Sequence, residues 1–91
     1  MDKFIITVYG KVQGIGYRWF VVENAKRYNL SGWVRNCQDG SVECGVKGKK
    51  ENIDRFIEDI KKYPLAKIVK IEIKECVDES KFLYDDFKII K

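Results

Sequence analysis

Apolar residues recur along the first third of the chain with two periods, one typical of strands and one of helices. Residues 4–8 are all β-branched or aromatic, which predicts a first strand over about residues 3–9. A first helix is predicted over about residues 18–28 because its apolar residues share helical spacing. These are Tyr17, Val21, Ala25 and Tyr28. Asn29 follows as the expected left-handed residue that ends this helix.

The pattern in the middle of the chain predicts a β-hairpin. Residues 32–37 predict a second strand, Asp39-Gly40 predicts a tight turn, and residues 41–47 predict a third strand. The third strand places alternate residues on one face of the sheet. These are Val42, Cys44 and Val46.

A second helix and two further strands complete the pattern. The helix carries an apolar stripe and ends near Tyr63, before the only proline, Pro64. The stripe consists of Ile53, Phe56, Ile57 and Ile60. Val69, Ile71 and Ile73 alternate with charged residues, which predicts a fourth strand with these three on one face. A short fifth strand is predicted at Phe87 and Ile89.

This order, β-α-β-β-α-β with an added C-terminal strand, predicts an α+β fold of the ferredoxin-like, split βαβ type. Two helices would cover one face of a mostly antiparallel sheet, in which the first and third strands are neighbours and the second lies at an edge. At 91 residues we expect one domain over residues 1–91.

Composition restricts the chemistry available to the chain. The net charge of +4 favours anionic ligands without requiring nucleic acid, and the three cysteines have no metal-ligand spacing. The absence of histidine removes the usual general base and a common metal ligand. Any chemistry must therefore rely on other groups. With no apolar run near the ~20 residues of a membrane span and no visible signal peptide, we expect a cytoplasmic protein.

Candidate chemistry is concentrated where the first strand meets the first helix. Gly10, Gly14 and Gly16 allow the backbone to turn several N–H groups toward one point, beside the positive end of the helix dipole. Arg18 adds a planar set of donors suited to phosphate oxygens, although the dipole disfavours a cation there by roughly 0.3–1 kcal/mol. A purely structural turn explains the glycines equally well.

A second candidate is Asn36, because asparagine is disfavoured inside strands. It either begins the hairpin turn or faces the glycine-rich loop, where its amide could orient a water molecule. Trp19 and Trp33 are expected to pack against the protein rather than to contact substrate.

Two motifs together resemble the signatures of the acylphosphatase family. Residues 10–18, Gly-Lys-Val-Gln-Gly-Ile-Gly-Tyr-Arg, resemble the pattern Gly-x-Val-Gln-Gly-Val-x-Phe-Arg. Residues 32–42 are similar to Gly-Trp-Val-x-Asn-x-x-Asp-Gly-x-Val. The departures in the first motif, Ile15 for Val and Tyr17 for Phe, keep the hydrophobic character.

The resemblance implies an enzyme that hydrolyses acyl phosphates to a carboxylate and inorganic phosphate, without metal or covalent intermediate. It assigns phosphate binding to Arg18 and water orientation to Asn36. It assigns the substrate-binding backbone to a run of six residues. These are Gly10, Lys11, Val12, Gln13, Gly14 and Ile15. A small acyl phosphate would be the partner of a monomeric chain, with inorganic phosphate or sulfate competing, and neither nucleic acid nor membrane is expected.

Two other functions fit the same strand and helix order. An RNA-recognition domain would carry stacking aromatic residues on its third strand, but residues 41–47 contain none. An anion-sensing domain without catalysis stays open, although Arg18 and Asn36 favour an enzyme.

Overall fold

Secondary structure in the computed structural model, which describes residues 1–91, follows the predicted order to within a few residues at each boundary. In chain order the elements are β1 (Asp2–Lys11), α1 (Tyr17–Arg27), β2 (Ser31–Asn36), β3 (Val42–Gly48), α2 (Lys50–Ile60), β4 (Lys67–Glu75) and β5 (Phe87–Ile89). A short 3₁₀ helix, Glu79–Lys81, precedes β5. None of the helices is long and apolar enough to cross a membrane.

The strands form one sheet in the order β4-β1-β3-β2-β5. β1 pairs antiparallel with both β3 and β4, β2 pairs antiparallel with β3, and β5 is parallel to β2. This arrangement confirms the predicted α+β, ferredoxin-like fold with two helices packed on a mostly antiparallel sheet. The expected edge position of the second strand is wrong, because the C-terminal strand β5 covers that edge of β2.

One apolar core fills the space between the sheet and the two helices. It contains 17 buried residues, including the predicted inner face of β3 and the apolar stripe of α2. In α1, Tyr17, Val21 and Ala25 are buried as their spacing predicts. Burial of these side chains from several distant segments provides the main favourable term in folding.

The two turns that flank β2 adopt the conformations that their residues favour. Asn29 has a φ of 57° and follows α1 as the predicted left-handed residue. In the hairpin, the backbone N–H and the hydroxyl of Ser41 donate to Asp39 Oδ1 at 2.9 and 2.6 Å. These hydrogen bonds hold the pKa of Asp39 below its ordinary value.

A register shift between β1 and β4 changes which residues of β4 face the core. Tyr9 pairs with Lys70 while Gly10 pairs with Ile68, so Val69 has no partner on β1. Val69 is consequently 82% exposed, and Ile68 packs against the core instead. The prediction that Val69 shares a face with Ile71 and Ile73 is therefore wrong.

Gly10 lies at this irregularity, with a φ of 133°. A Cβ atom at this position would lie 2.0 Å from the carbonyl oxygen of Lys67 on β4. The close approach of the two strands thus explains this glycine without any ligand.

We expect Gly10→Ala to destabilise the protein more than Gly40→Ala. Both substitutions impose a positive φ on alanine, but Gly40 has no atom within 4 Å of an added Cβ. Strain at Gly40 should cost roughly 1–2 kcal/mol, and the displacement of β4 should add about 1–3 kcal/mol at Gly10. Urea unfolding of both variants would measure the difference, and equal losses would contradict the role of strand contact.

Candidate active site

The central strand β3 brings the two sequence motifs together. Val42 of β3 pairs on one side with Val8 of β1 and on the other side with Asn36 of β2. β1 and β2 therefore run in the same direction, and their C-terminal ends lie at the same end of the sheet. The chain that leaves β1 consequently passes beside the end of β2.

This connection, residues 12–16, is called here the glycine loop, and it is rich in unpaired backbone donors. None of the N–H groups of residues 12–19, which include the first turn of α1, donates a hydrogen bond within the protein. Gly16, with a φ of 80°, turns the chain into the helix. Free N–H groups at a helix N-terminus form a ready site for an anion.

Two side chains hold the glycine loop in place. Gln13 Nε2 donates to the carbonyl oxygens of Cys37 and Ser41, both at 2.8 Å, and so joins the loop to the hairpin. The Tyr63 hydroxyl donates to the carbonyl oxygen of Ile15 at 2.5 Å from beyond the end of α2. These hydrogen bonds to the hairpin and to Tyr63 hold the loop in its conformation without a ligand.

Arg18 is the second residue of α1, where no acidic side chain offsets its charge. Arg18 is half-buried as a residue, and its guanidinium takes part in none of the ion pairs or side-chain hydrogen bonds of the protein. The charge thus stands near the positive end of the helix dipole without an internal counter-charge, which favours an external anion.

Asn36 and Arg18 line the same cavity of about 170 Å³. The remaining lining residues are Val12, Gly14, Gly16, Tyr17, Trp19 and Ile89. Asn36 Oδ1 is buried and has no hydrogen-bond partner in the protein. The hairpin turn instead relies on Asp39, so the structure favours the interpretation in which the amide faces the loop. An acceptor buried without a partner costs about 1–3 kcal/mol.

Tyr17 also lines the cavity but offers it no acidic proton. Its hydroxyl is directed into the core and donates to the carbonyl oxygen of Ile60 at 2.6 Å. Burial raises the pKa of Tyr17, so the hydroxyl stays neutral. The polar groups available in the cavity are therefore backbone amides, one guanidinium and one carboxamide.

Of the eight residues proposed from sequence as site residues, the structure places four in the cavity lining. These are Val12, Gly14, Arg18 and Asn36. Gly10 and Lys11 are the last residues of β1, and Gln13 and Ile15 belong to the glycine loop without lining the cavity. Substrate contact by all eight stays a prediction.

Sequence reasoning missed two residues near the site. Trp33 packs as expected, but the expectation that Trp19 also packs is wrong, because Trp19 is 60% exposed and lines the cavity. The position of Trp19 directly after Arg18 in the sequence could have indicated that it lies near the site. Nothing in the sequence indicated that Tyr63 bonds to the glycine loop, since 48 positions separate it from Ile15.

Comparison with known proteins identifies a family for this chain. The family model described as Acylphosphatase matches residues 4–89. The crystal structure of acylphosphatase from Bacillus subtilis superposes with a TM-score of 0.91 at 34% identity, covering 100% of both chains. Acylphosphatase of Bacillus licheniformis is 40% identical over 76 residues, which are 82% of this chain and 84% of the relative.

A longer protein contains a similar segment. The probable carbamoyltransferase HypF of Methanocaldococcus jannaschii is 47% identical over 91 residues, or 98% of this chain. This chain spans only 12% of the length of that relative. The match of the family model over nearly all of the sequence, together with the two relatives of similar length, shows that the chain belongs to the acylphosphatase family.

Proposed function

We propose that this chain hydrolyses the carboxyl–phosphate anhydride of acyl phosphates, giving a carboxylate and inorganic phosphate. Hydrolysis of acyl phosphates is the activity of the family. The observation that carries the proposal is the meeting of three features at one cavity. These are the unpaired N–H groups of the glycine loop, the unpaired guanidinium of Arg18, and Asn36, whose amide oxygen has no hydrogen-bond partner in the protein.

In this proposal the phosphoryl group is held by the backbone from Gly10 to Ile15 and by Arg18. A metaphosphate-like transition state spreads negative charge over three equatorial oxygens, which several fixed donors can stabilise together. The hydrogen bonds of Gln13 and Tyr63 fix the loop before substrate arrives, so little reorganisation is needed during the reaction.

Asn36 orients the attacking water in the same proposal. Its carboxamide oxygen, which has no partner within the protein, accepts a hydrogen bond from that water, and the remaining water proton passes to a phosphoryl oxygen. The leaving carboxylate is a weak base, so its departure requires little protonation. With phosphate held by the loop and Arg18, and water oriented by Asn36, a chain without histidine can catalyse the reaction.

We further propose that residues 1–91 act as one monomeric, cytoplasmic domain that needs no metal or cofactor. Inorganic phosphate or sulfate should compete with substrate at the glycine loop.

Carbamoyl phosphate contains the same anhydride linkage as other acyl phosphates. It belongs among the test substrates because one relative is named a probable carbamoyltransferase.

A domain that only senses anions would bind phosphate at the same loop without turnover. The test is hydrolysis of acetyl, benzoyl and carbamoyl phosphate with EDTA present. Release of phosphate above the uncatalysed rate supports the enzyme, while phosphate binding without hydrolysis of any of the three supports the sensor.

Substitution of the two side chains should separate binding from water positioning. Arg18→Gln removes a charge-assisted contact, so both phosphate affinity and turnover should fall. Asn36→Ala should nearly preserve phosphate affinity and lower kcat by on the order of 10²–10³. Steady-state kinetics with phosphate as a competitive inhibitor would measure both effects, and near-native turnover by Asn36→Ala would contradict its role.

Loss of the Tyr63 hydroxyl should weaken phosphate binding. Tyr63→Phe leaves the carbonyl of Ile15 without its donor, which loosens the glycine loop. Tyr17→Phe is the matched control, because it removes a similar hydrogen bond to Ile60 that lies outside the loop. Each variant should lose about 1 kcal/mol of stability, but only Tyr63→Phe should raise the phosphate inhibition constant. Equal inhibition constants in both variants would show that Tyr63 has a structural role alone.

Anion binding should also stabilise the fold. Phosphate at a hundredfold excess over its dissociation constant should add ~2.7 kcal/mol and raise Tm. In phosphate-free buffer Arg18→Gln should be at least as stable as the parent, since it relieves repulsion by the helix dipole. Thermal melts in both buffers would test this, and a loss above about 1 kcal/mol in Arg18→Gln would indicate an internal partner for Arg18.

A further inference from the structure

Two apolar side chains at the cavity stay exposed to solvent and lie outside the apolar core. Trp19 of α1 is 60% exposed and Ile89 of β5 is 48% exposed, yet both line the cavity that contains Arg18 and Asn36. The indole of Trp19 takes part in none of the aromatic or cation–π contacts of the protein. We call Trp19 and Ile89 the apolar rim.

The chemistry of an acyl phosphate places its acyl group near this rim. One bridging oxygen joins the acyl carbon to phosphorus, so the acyl group must lie directly beside a phosphoryl group held by the glycine loop. The other two apolar lining residues, Val12 and Tyr17, are each only 1% exposed. Trp19 and Ile89 are therefore the apolar surfaces of the cavity that an acyl group can reach.

We propose that Trp19 and Ile89 form the acyl subsite and favour acyl phosphates with a flat aromatic or branched apolar acyl group. The inference rests on the proposed hydrolase function and adds the class of substrate to it. An indole face can stack on an aromatic acyl group, and the branched side chain of Ile89 supplies an aliphatic contact. Both residues act on the part of the substrate that does not react, so they determine specificity rather than the chemical step.

The first experiment compares benzoyl phosphate with acetyl phosphate. In Trp19→Ala the ratio of kcat/KM for these two substrates should fall about threefold to tenfold relative to the parent, the range expected for loss of an aromatic contact. Trp19→Phe should keep most of the ratio because it retains an aromatic face. Ile89→Ala should change the ratio in the same direction by less.

Ile73→Ala is the matched control for Ile89→Ala. Ile73 has nearly the same exposure, 47%, but lies on β4 at the opposite edge of the sheet. It should leave the ratio unchanged. The inhibition constant of inorganic phosphate, which has no acyl group, should stay the same in all four variants. The acyl subsite would be overturned if Trp19→Ala left the ratio of kcat/KM for the two substrates unchanged. It would also be overturned if Trp19→Ala weakened inhibition by phosphate as much as it lowered that ratio.

A binding experiment separates this inference from the proposed function. Benzylphosphonate and methylphosphonate present the same anion with a large or a small apolar group and cannot be hydrolysed at an anhydride. The parent should bind benzylphosphonate more tightly, and Trp19→Ala should remove about the same threefold to tenfold preference. A preference that depends on Trp19 in a protein without turnover would support the subsite and reject the hydrolase. Hydrolysis by the parent, together with a phosphonate preference that Trp19→Ala leaves unchanged, would support the hydrolase and reject the subsite.

Discussion

The site depends on the pairing of β3 with a strand on each side. Because Val42 lies between Val8 and Asn36, the ends of β1 and β2 meet at one edge of the sheet. Backbone hydrogen bonds fix this register, and a shift by one residue would turn every side chain of β3 to the other face. Gln13 adds a second connection by bonding the glycine loop to the hairpin, so two independent sets of hydrogen bonds determine where Asn36 lies relative to the loop.

The same arrangement concentrates unpaired polar groups in a small volume. The N–H groups of residues 12–19, the Arg18 guanidinium and Asn36 Oδ1 all lack internal partners. In a fold designed only for stability, such groups would be paired or replaced. Here the buried stripes of the two helices and the inner face of the sheet provide the stability that allows the site to stay unpaired. A complementary anion would satisfy the donors and the charge together.

Residues of the first motif serve different purposes although they are adjacent in sequence. Gly10 permits the close approach of β4, whereas Gly16 turns the chain into α1. Tyr17 stands where the family pattern has Phe, and its additional hydroxyl is accommodated by donation to Ile60. A motif that resembles a phosphate-binding loop therefore combines residues that shape the loop with residues that face the cavity.

The sequence by itself determined the order of elements, the apolar stripes and the two motifs, because periodicity, turn chemistry and residue type are local properties. It placed Arg18 in the first helical turn for the same reason. Only the tertiary structure decided that β5 covers β2 and that the register shift between β1 and β4 exposes Val69. It also decided that Trp19, Tyr63 and Asn36 reach the glycine loop or its cavity. These features depend on contacts between segments far apart in the chain, and such contacts follow from strand register and packing rather than from local pattern.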